Sequence, residues 1–229
     1  MAPRPHELAK ALESTLLRPN ATRADVEALC DEAASLHLAA VAVLPAHVAP
    51  ATAWLRGSDV KVVALVSFPF GADTPAVKAA AAEAAAADGA DEIEVMMALS
   101  LFLTGDVNAV RDELGAIVRA ARLRTVASGR RPTVVRGVVE TAYLDDRRIR
   151  LAARVLKAAG VDAAVTSTGL APKSASPLDV ELLRDELDGL VIKAAGGIRS
   201  LRDAHDLLAA GATRLGSTAA AALLQQARR

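Results

Sequence analysis

The feature that most constrains the fold is a regular alternation between short β-branched segments and longer amphipathic segments. Strand-like segments lie at residues 12–16, 40–44, 60–66, 92–96, 133–139, 163–166, 190–193 and 214–216. Helix-like segments between them lie at residues 23–36, 74–87, 107–123, 145–159, 177–187, 201–210 and 218–227. Three helix-to-strand connections are near-copies of each other, each with a glycine where the helix ends: Gly89, Gly160 and Gly211. This repetition predicts a parallel sheet built from βα units.

Eight such units predict a closed (β/α)8 barrel, the TIM barrel, as a single domain over residues 1–229. The length is close to that of one such barrel, roughly 250 residues. An open, doubly wound sheet usually carries an early glycine-rich turn after its first strand, and this chain has none. No stretch rich in serine and proline divides the chain into two parts.

Composition excludes several classes of partner. Lys and Arg number 27, as do Asp and Glu, so the formal net charge is zero and nothing draws the chain to nucleic acid or an anionic membrane. No apolar run approaches the roughly 18 residues of a membrane span. Cys30 is the single cysteine, so no internal disulfide can form. We therefore expect a cytoplasmic protein that binds neither nucleic acid nor membrane.

Three segments late in the chain predict a phosphate site. Each follows a predicted strand, and glycines, hydroxyls and helix N-termini together suit an anion. The predicted contacts are Thr168, Gly169, Gly196, Gly197, Gly216, Ser217 and Thr218. The alternative is that these residues only cap helices. The predicted partner is a small phosphorylated metabolite.

Lys193 lies in an otherwise apolar strand and is the candidate nucleophile. Burial inside a barrel disfavours its ammonium form, and a neutral amine can form a Schiff base with a carbonyl group. Alternatively, its side chain reaches solvent from the strand end. Strand alternation turns Glu92 and Glu94 to one face, so carboxylates would pair with Lys193 or move protons beside it. Glu92 and Arg136 could instead form a structural ion pair.

A metal site is not expected. The four histidines, His6, His37, His47 and His205, are scattered without the spacing of metal ligands.

Several motifs together resemble the deoxyribose-phosphate aldolases, which are class I aldolases. They include Gly89-Ala90-Asp91-Glu92-Ile93, Thr166-Ser167-Thr168-Gly169 and Lys193-Ala194-Ala195-Gly196-Gly197-Ile198-Arg199. The resemblance runs over nearly the whole chain. It implies a (β/α)8 barrel that reversibly cleaves 2-deoxyribose 5-phosphate to glyceraldehyde 3-phosphate and acetaldehyde, without metal or other cofactor. It also implies a monomer or a homodimer.

The catalytic pattern of that family is altered here. The family has its Schiff-base lysine where this chain has Val165, which has no nucleophile. Its acid/base aspartate corresponds to Glu94, and its first-strand aspartate to Glu13. The resemblance and the alternation together predict Lys193, Glu94 and Glu13 as catalytic residues. The predicted substrate pocket consists of Val165, Thr15, Ala42, Leu44, Arg136 and Glu140.

Three functions remain open at this point. The first is a divergent aldolase or retro-aldol lyase that uses Lys193 as the Schiff-base amine. The second is a different reaction on the same scaffold, an isomerisation, elimination or cyclisation, with Glu94 as base and Lys193 as a fixed cation. The third is a non-catalytic protein that binds a sugar phosphate.

Overall fold

Eight parallel strands close into a barrel in the computed structural model, which describes residues 3–228. The strands are β1 (Leu12–Leu16), β2 (Ala40–Val43), β3 (Lys61–Val66), β4 (Glu92–Met96), β5 (Val134–Val138), β6 (Ala163–Val165), β7 (Val191–Ala195) and β8 (Arg214–Ser217). Each strand pairs in parallel with the next, and β8 pairs with β1. The predicted (β/α)8 barrel is confirmed.

Ten α-helices occur among the described residues. They are α1 (Pro5–Ala11), α2 (Arg23–Leu36), α3 (Val48–Trp54), α4 (Pro75–Ala87), α5 (Leu99–Leu103), α6 (Val107–Ala127), α7 (Asp146–Ala159), α8 (Pro177–Leu187), α9 (Leu201–Ala210) and α10 (Ala220–Ala227). The sequence did not predict α1, α3 and α5, which have seven, seven and five residues. Two helical turns or fewer hold too few repeats of the 3.6-residue period to stand out in a sequence.

The two faces of the strands bury different kinds of residue. Outward side chains such as Val41 and Ile93 pack under the helices in the main core. Inward side chains form two separate apolar clusters and a charged group between them. The β2–β3 cluster contains Ala40, Ala42, Val63 and Leu65, and the β4–β7 cluster contains Met96, Val138, Val165 and Ala195.

A buried ion pair fixes the end of β4. The Lys78 ammonium donates to Glu113 Oε1 at 2.7 Å and to the Met96 carbonyl at 3.1 Å, and both charged side chains are buried. The pair joins α4 and α6 to the strand that carries Glu94.

Over residues 3–228, none of the helices has the length and apolar character needed to cross a membrane.

Candidate active site

A cavity of about 770 Å³ opens at the carboxyl ends of the strands. Residues of β1, β2, β3, β4, β7 and β8 line it, together with the loops that follow several of these strands. Lys193 and Glu94 are its most deeply buried charged lining residues, at 2% and 3% exposure. In barrels of this type the active site lies at this end, so the cavity is the candidate active site.

Lys193 is held between two carboxylates. Its Nζ donates to Glu94 Oε1 at 2.7 Å and also to Glu13 Oε1. Arg136 Nη1 donates to the same Glu94 oxygen and to Glu13 Oε2, each at 3.1 Å. Lys193 therefore contacts both of the other predicted catalytic residues. Arg136, on β5, joins the two glutamates by donating a hydrogen bond to each.

The buried group is balanced in charge. Arg136 also pairs with Glu92, and Arg214 Nη2 lies 3.6 Å from Glu92 Oε1. Three glutamates, Glu13, Glu92 and Glu94, thus face three cations, Lys193, Arg136 and Arg214. Such balance is needed because an unpaired charge in a barrel interior costs several kcal/mol, on the order of 3–5. The ion pair considered for Glu92 and Arg136 is present and is part of this larger group.

The two carboxylates that touch Lys193 have opposite pKa shifts. Burial raises the pKa of Glu94 to about 7, and the negative charge of Glu13 adds to the rise, against the pull of Lys193. Burial also disfavours the charged form of Glu13, but Lys193 and Arg136 outweigh it and hold the pKa of Glu13 below its usual value. Glu13 is therefore a fixed anion, whereas Glu94 can take up and release a proton near neutral pH.

Gly216 makes room for the Lys193 side chain. A Cβ atom at Gly216 would lie 2.6 Å from Lys193 Cε and 3.2 Å from Nζ. The sequence predicted a phosphate contact here. The structure places Gly216 within β8, in the cavity wall, where its lack of a side chain allows the lysine to extend across the barrel.

Two hydroxyl groups predicted to bind phosphate have hydrogen-bond partners within the protein. The Thr168 N–H donates to Glu140 Oε2 at 3.0 Å, and its hydroxyl donates to the same oxygen. The Ser217 hydroxyl donates to the Ile198 carbonyl at 2.8 Å and accepts from the Ala219 N–H at 3.0 Å. These hydroxyls hold the loops in shape, and sequence alone could not show which partner they would take.

Free N–H donors of the site occur in the glycine loop, residues 196–199. Gly196 and Gly197 have φ of 96° and 77°, and the N–H groups of Gly197 and Ile198 donate to no atom within residues 3–228. Gly196 also packs closely on Gly169, since an added Cβ would lie 3.1 Å from the Gly169 Cα. Successive free N–H groups beside left-handed glycines form an anion-binding concavity. The exposed Arg199 lies in the same loop.

The predicted pocket residues divide into two groups. Thr15 and Ala42 line the cavity, as does the exposed Thr218 of the predicted phosphate site. Four others lie outside the cavity wall: Val165, Leu44, Arg136 and Glu140. Each has a different partner there. Val165 packs in the β4–β7 cluster, Leu44 packs against the β2–β3 cluster, Arg136 holds the glutamates, and Glu140 holds Thr168.

Arg214, Leu65 and Phe68 belong to the site or its charged group but were not predicted from the sequence. Arg214 could have been found, because it is two residues before Gly216 in a strand and so shares its inward face. Leu65 and Phe68 line the cavity but carry no chemical signature. Within residues 3–228, no group of three or more His, Cys, Asp or Glu side chains is arranged to hold a metal ion.

Together, the fold and the cavity define a (β/α)8-barrel protein with an enzyme-like site, a buried lysine between two carboxylates. The chain belongs to the DeoC/LacD family of aldolases, whose sequence profile matches residues 8–223.

Relatives of known name support this membership over nearly the full length. Deoxyribose-phosphate aldolase 2 of Staphylococcus aureus strain COL is 37% identical, over 95% of each chain. Deoxyribose-phosphate aldolase of Caldanaerobacter subterraneus subsp. tengcongensis is 36% identical, over 96% of this chain and 93% of the relative. The solved structure of deoxyribose phosphate aldolase from Aeropyrum pernix, described as tetrameric, superposes with a TM-score of 0.88 at 31% identity. That match covers 98% of this chain and 92% of the other.

Proposed function

We propose that this chain is an aldolase that forms a Schiff base through Lys193 and acts on a small phosphorylated aldehyde or sugar, similar to deoxyribose 5-phosphate. The observation that carries the proposal is the contact of Lys193 with Glu94, at 2.7 Å, in the wall of the cavity. A primary amine and a carboxyl group that titrates near neutral pH are the two groups that imine chemistry needs.

Imine formation can be written with these two residues alone. The Lys193 ammonium passes a proton to Glu94, and the neutral amine attacks the carbonyl carbon. A C–N bond forms as the C=O π bond opens, and the carbonyl oxygen takes a proton from the attacking nitrogen to become a hydroxyl group. Glu94 returns the proton to the departing hydroxyl group, which leaves as water. The products are a protonated imine on Lys193 and an ionised Glu94.

Carbon–carbon cleavage follows from that state. The ionised Glu94 takes the proton of the β-hydroxyl group, the new carbonyl forms, and the C–C electrons move into the imine to give an enamine. Glu94 returns that proton to the enamine carbon, and addition of water to the resulting imine then releases the second carbonyl product and restores the Lys193 ammonium. A pKa of about 7 suits Glu94 to both directions of transfer.

Glu13 is proposed to position the amine. Its ionised carboxylate contacts Lys193 from β1, on the side away from Glu94, and Arg136 braces both glutamates. When Lys193 gives up its proton, Arg136 remains as the buried cation beside them.

The glycine loop supports a phosphorylated substrate. The free N–H groups of Gly197 and Ile198, together with Arg199, lie in the wall of the same cavity as Lys193. Main-chain donors of this kind bind phosphate oxygens. The relatives named deoxyribose-phosphate aldolase agree with this chemistry.

The register between β6 and β7 supports the use of Lys193 in place of residue 165. Val165 and Lys193 are directly paired on neighbouring strands. Neighbouring strands lie about 4.8 Å apart. A carbonyl carbon anchored by its phosphate therefore needs only a shift of this size to reach the second position.

Borohydride reduction tests the proposal. Incubation with 2-deoxyribose 5-phosphate and borohydride should add one reduced fragment to the protein, and peptide mass mapping should locate it at Lys193. The Lys193→Ala variant should show no such adduct, whereas Lys157→Ala, which removes an exposed surface lysine paired with Asp188, should behave like the wild type. Equal trapping in wild type and Lys193→Ala would refute the imine at this residue.

A second candidate is favoured by the pairing of Lys193 with two carboxylates, Glu13 and Glu94. Lys193 would then act as a fixed cation beside an enolate, with Glu94 as the base of a proton transfer. This alternative predicts no borohydride adduct. It predicts exchange of the proton next to the substrate carbonyl with deuterium from solvent, which the Glu94→Gln variant should lose.

A further inference from the structure

One wall of the cavity is largely apolar, and Thr15, the partner of Ala42 on β1, is the polar residue beside it. The wall is formed by Leu17, Ala42, Leu65 and Phe68, which follow or lie on β1, β2 and β3. Ala42 and Leu65 belong to the β2–β3 cluster, and Leu17 and Phe68 pack against it half-buried. We name these four residues the apolar wall. None of their side chains can donate or accept a hydrogen bond.

The apolar wall lies across the barrel from the glycine loop. In a closed barrel of eight strands in sequential order, β2 lies opposite β6 and β3 lies opposite β7. The glycine loop follows β7 and packs on Gly169, which follows β6. Lys193 lies on β7, shortly before the glycine loop, and Glu94 lies on β4, paired with Leu65 of the apolar wall. A ligand that spans the cavity therefore meets an anion site at one end and hydrocarbon at the other.

The volume of the cavity also bears on the size of its ligand. That volume of about 770 Å³ falls in the range of pockets that hold drug-sized ligands, roughly 300–1000 Å³. Hydroxyl groups placed against the apolar wall would lose their hydrogen bonds to water without replacement. An alkyl or aryl group there would gain from burial.

We infer that the natural substrate is a carbonyl compound with an anionic group at one end and an alkyl or aryl group at the other. The apolar wall receives that group, and Leu65 and Phe68 determine the preference for it. This inference deepens the proposed function and rests on it for the carbonyl group. The apolar wall and the glycine loop can be tested without any covalent chemistry.

Unreactive phosphate esters provide the test. Isothermal titration of the wild type with propyl, butyl and pentyl phosphate should show affinity that rises by about fourfold for each methylene that becomes buried. Ribitol 5-phosphate, which has five carbons and four hydroxyl groups, should bind more weakly than pentyl phosphate. Affinity that is flat along the alkyl series, or tighter binding of ribitol 5-phosphate, would overturn the inference.

A matched pair of variants assigns the effect to the wall. Leu65→Asn places an amide in the wall and should reduce the preference for pentyl over ribitol phosphate by at least about tenfold. Leu123→Asn makes the same change on an exposed face of α6 and should keep the wild-type preference. Melting temperatures show whether the Leu65→Asn variant folds. The alkyl phosphate series with the wild type tests the apolar subsite independently of this variant.

The outcomes separate this inference from the proposed function. Phosphate binding without a preference for alkyl chains overturns the apolar subsite alone. Failure of all the esters to bind overturns the anion site of the proposed function and the inference with it. Failure of borohydride trapping overturns the imine at Lys193 and leaves the binding preference standing.

Discussion

Gly216→Ala is a direct test of how the barrel interior places Lys193. The added methyl group would start 2.6 Å from Lys193 Cε, whereas carbon atoms in contact prefer about 3.5–4.0 Å. Gly216 lies in a strand, between β7 and β1 in the sheet, so the backbone has little freedom to move away. The lysine must therefore move by about 1 Å, away from the position in which it contacts Glu94.

The size of the effect follows from that displacement. Misplacement of a reacting group by about 1 Å costs on the order of 100-fold in rate. Overpacking of the interior should also lower the free energy of unfolding by about 1–3 kcal/mol. The expected result is a loss of about 100-fold in the rate of borohydride trapping by a folded protein, with affinity for inorganic phosphate unchanged.

Gly115→Ala is the matched control for this measurement. Gly115 lies in α6, and an added Cβ would approach no atom closer than 3.4 Å. This control should keep the trapping rate and raise stability by about 0.5–1 kcal/mol, as alanine does within helices. A Gly216→Ala protein that is folded and traps substrate at the wild-type rate would refute the reasoning.

Three further predictions concern the groups around the site. Burial raises the pKa of Glu94 from 4.5 to about 7, so folding favours its protonated form and this contribution to stability is lost as the pH rises through that window. Urea unfolding at about pH 5 and about pH 8 measures this decrease in the free energy of unfolding, and the Glu94→Gln variant should not show it. A variant with the pH dependence of the wild type would contradict this prediction. Glu140→Ala should destabilise the protein by about 1–3 kcal/mol and weaken phosphate binding, because Thr168 loses its acceptor, while Glu140→Gln should retain part of both. Calorimetry and phosphate titration measure the two effects, and wild-type values in the alanine variant would refute this role. Val165→Lys should lower the free energy of unfolding by several kcal/mol, about 3, because residue 165 is fully buried in an apolar cluster, and an unchanged urea midpoint would contradict this.

The fold could be predicted from the sequence because the alternation of segments is local. The bounds of β1, β4, α2, α8 and α9 are those that the pattern predicts. The short helices could not be found because their stability comes from packing on the barrel and not from a periodic pattern of their own.

The candidate catalytic residues could also be predicted, since alternation turns Glu13, Glu94 and Lys193 into the same barrel. Their detailed pairing could not. Arg136 and Glu13 are 123 positions apart, and only closure of the barrel brings them to 3.1 Å. Gly216 illustrates a second limit: the space that it leaves for the Lys193 side chain depends on a residue of another strand and could not be predicted from the sequence.

In the proposed function, one ligand reaches both the Lys193 amine and the glycine loop. A crystal structure of the protein after borohydride reduction with 2-deoxyribose 5-phosphate tests this most directly. We expect electron density continuous from Lys193 Nζ to a ligand whose phosphate oxygens accept from the N–H groups of Gly197 and Ile198. A ligand whose phosphate lies away from that loop, or a Lys193 still bound only to its two glutamates beside an occupied cavity, would contradict it.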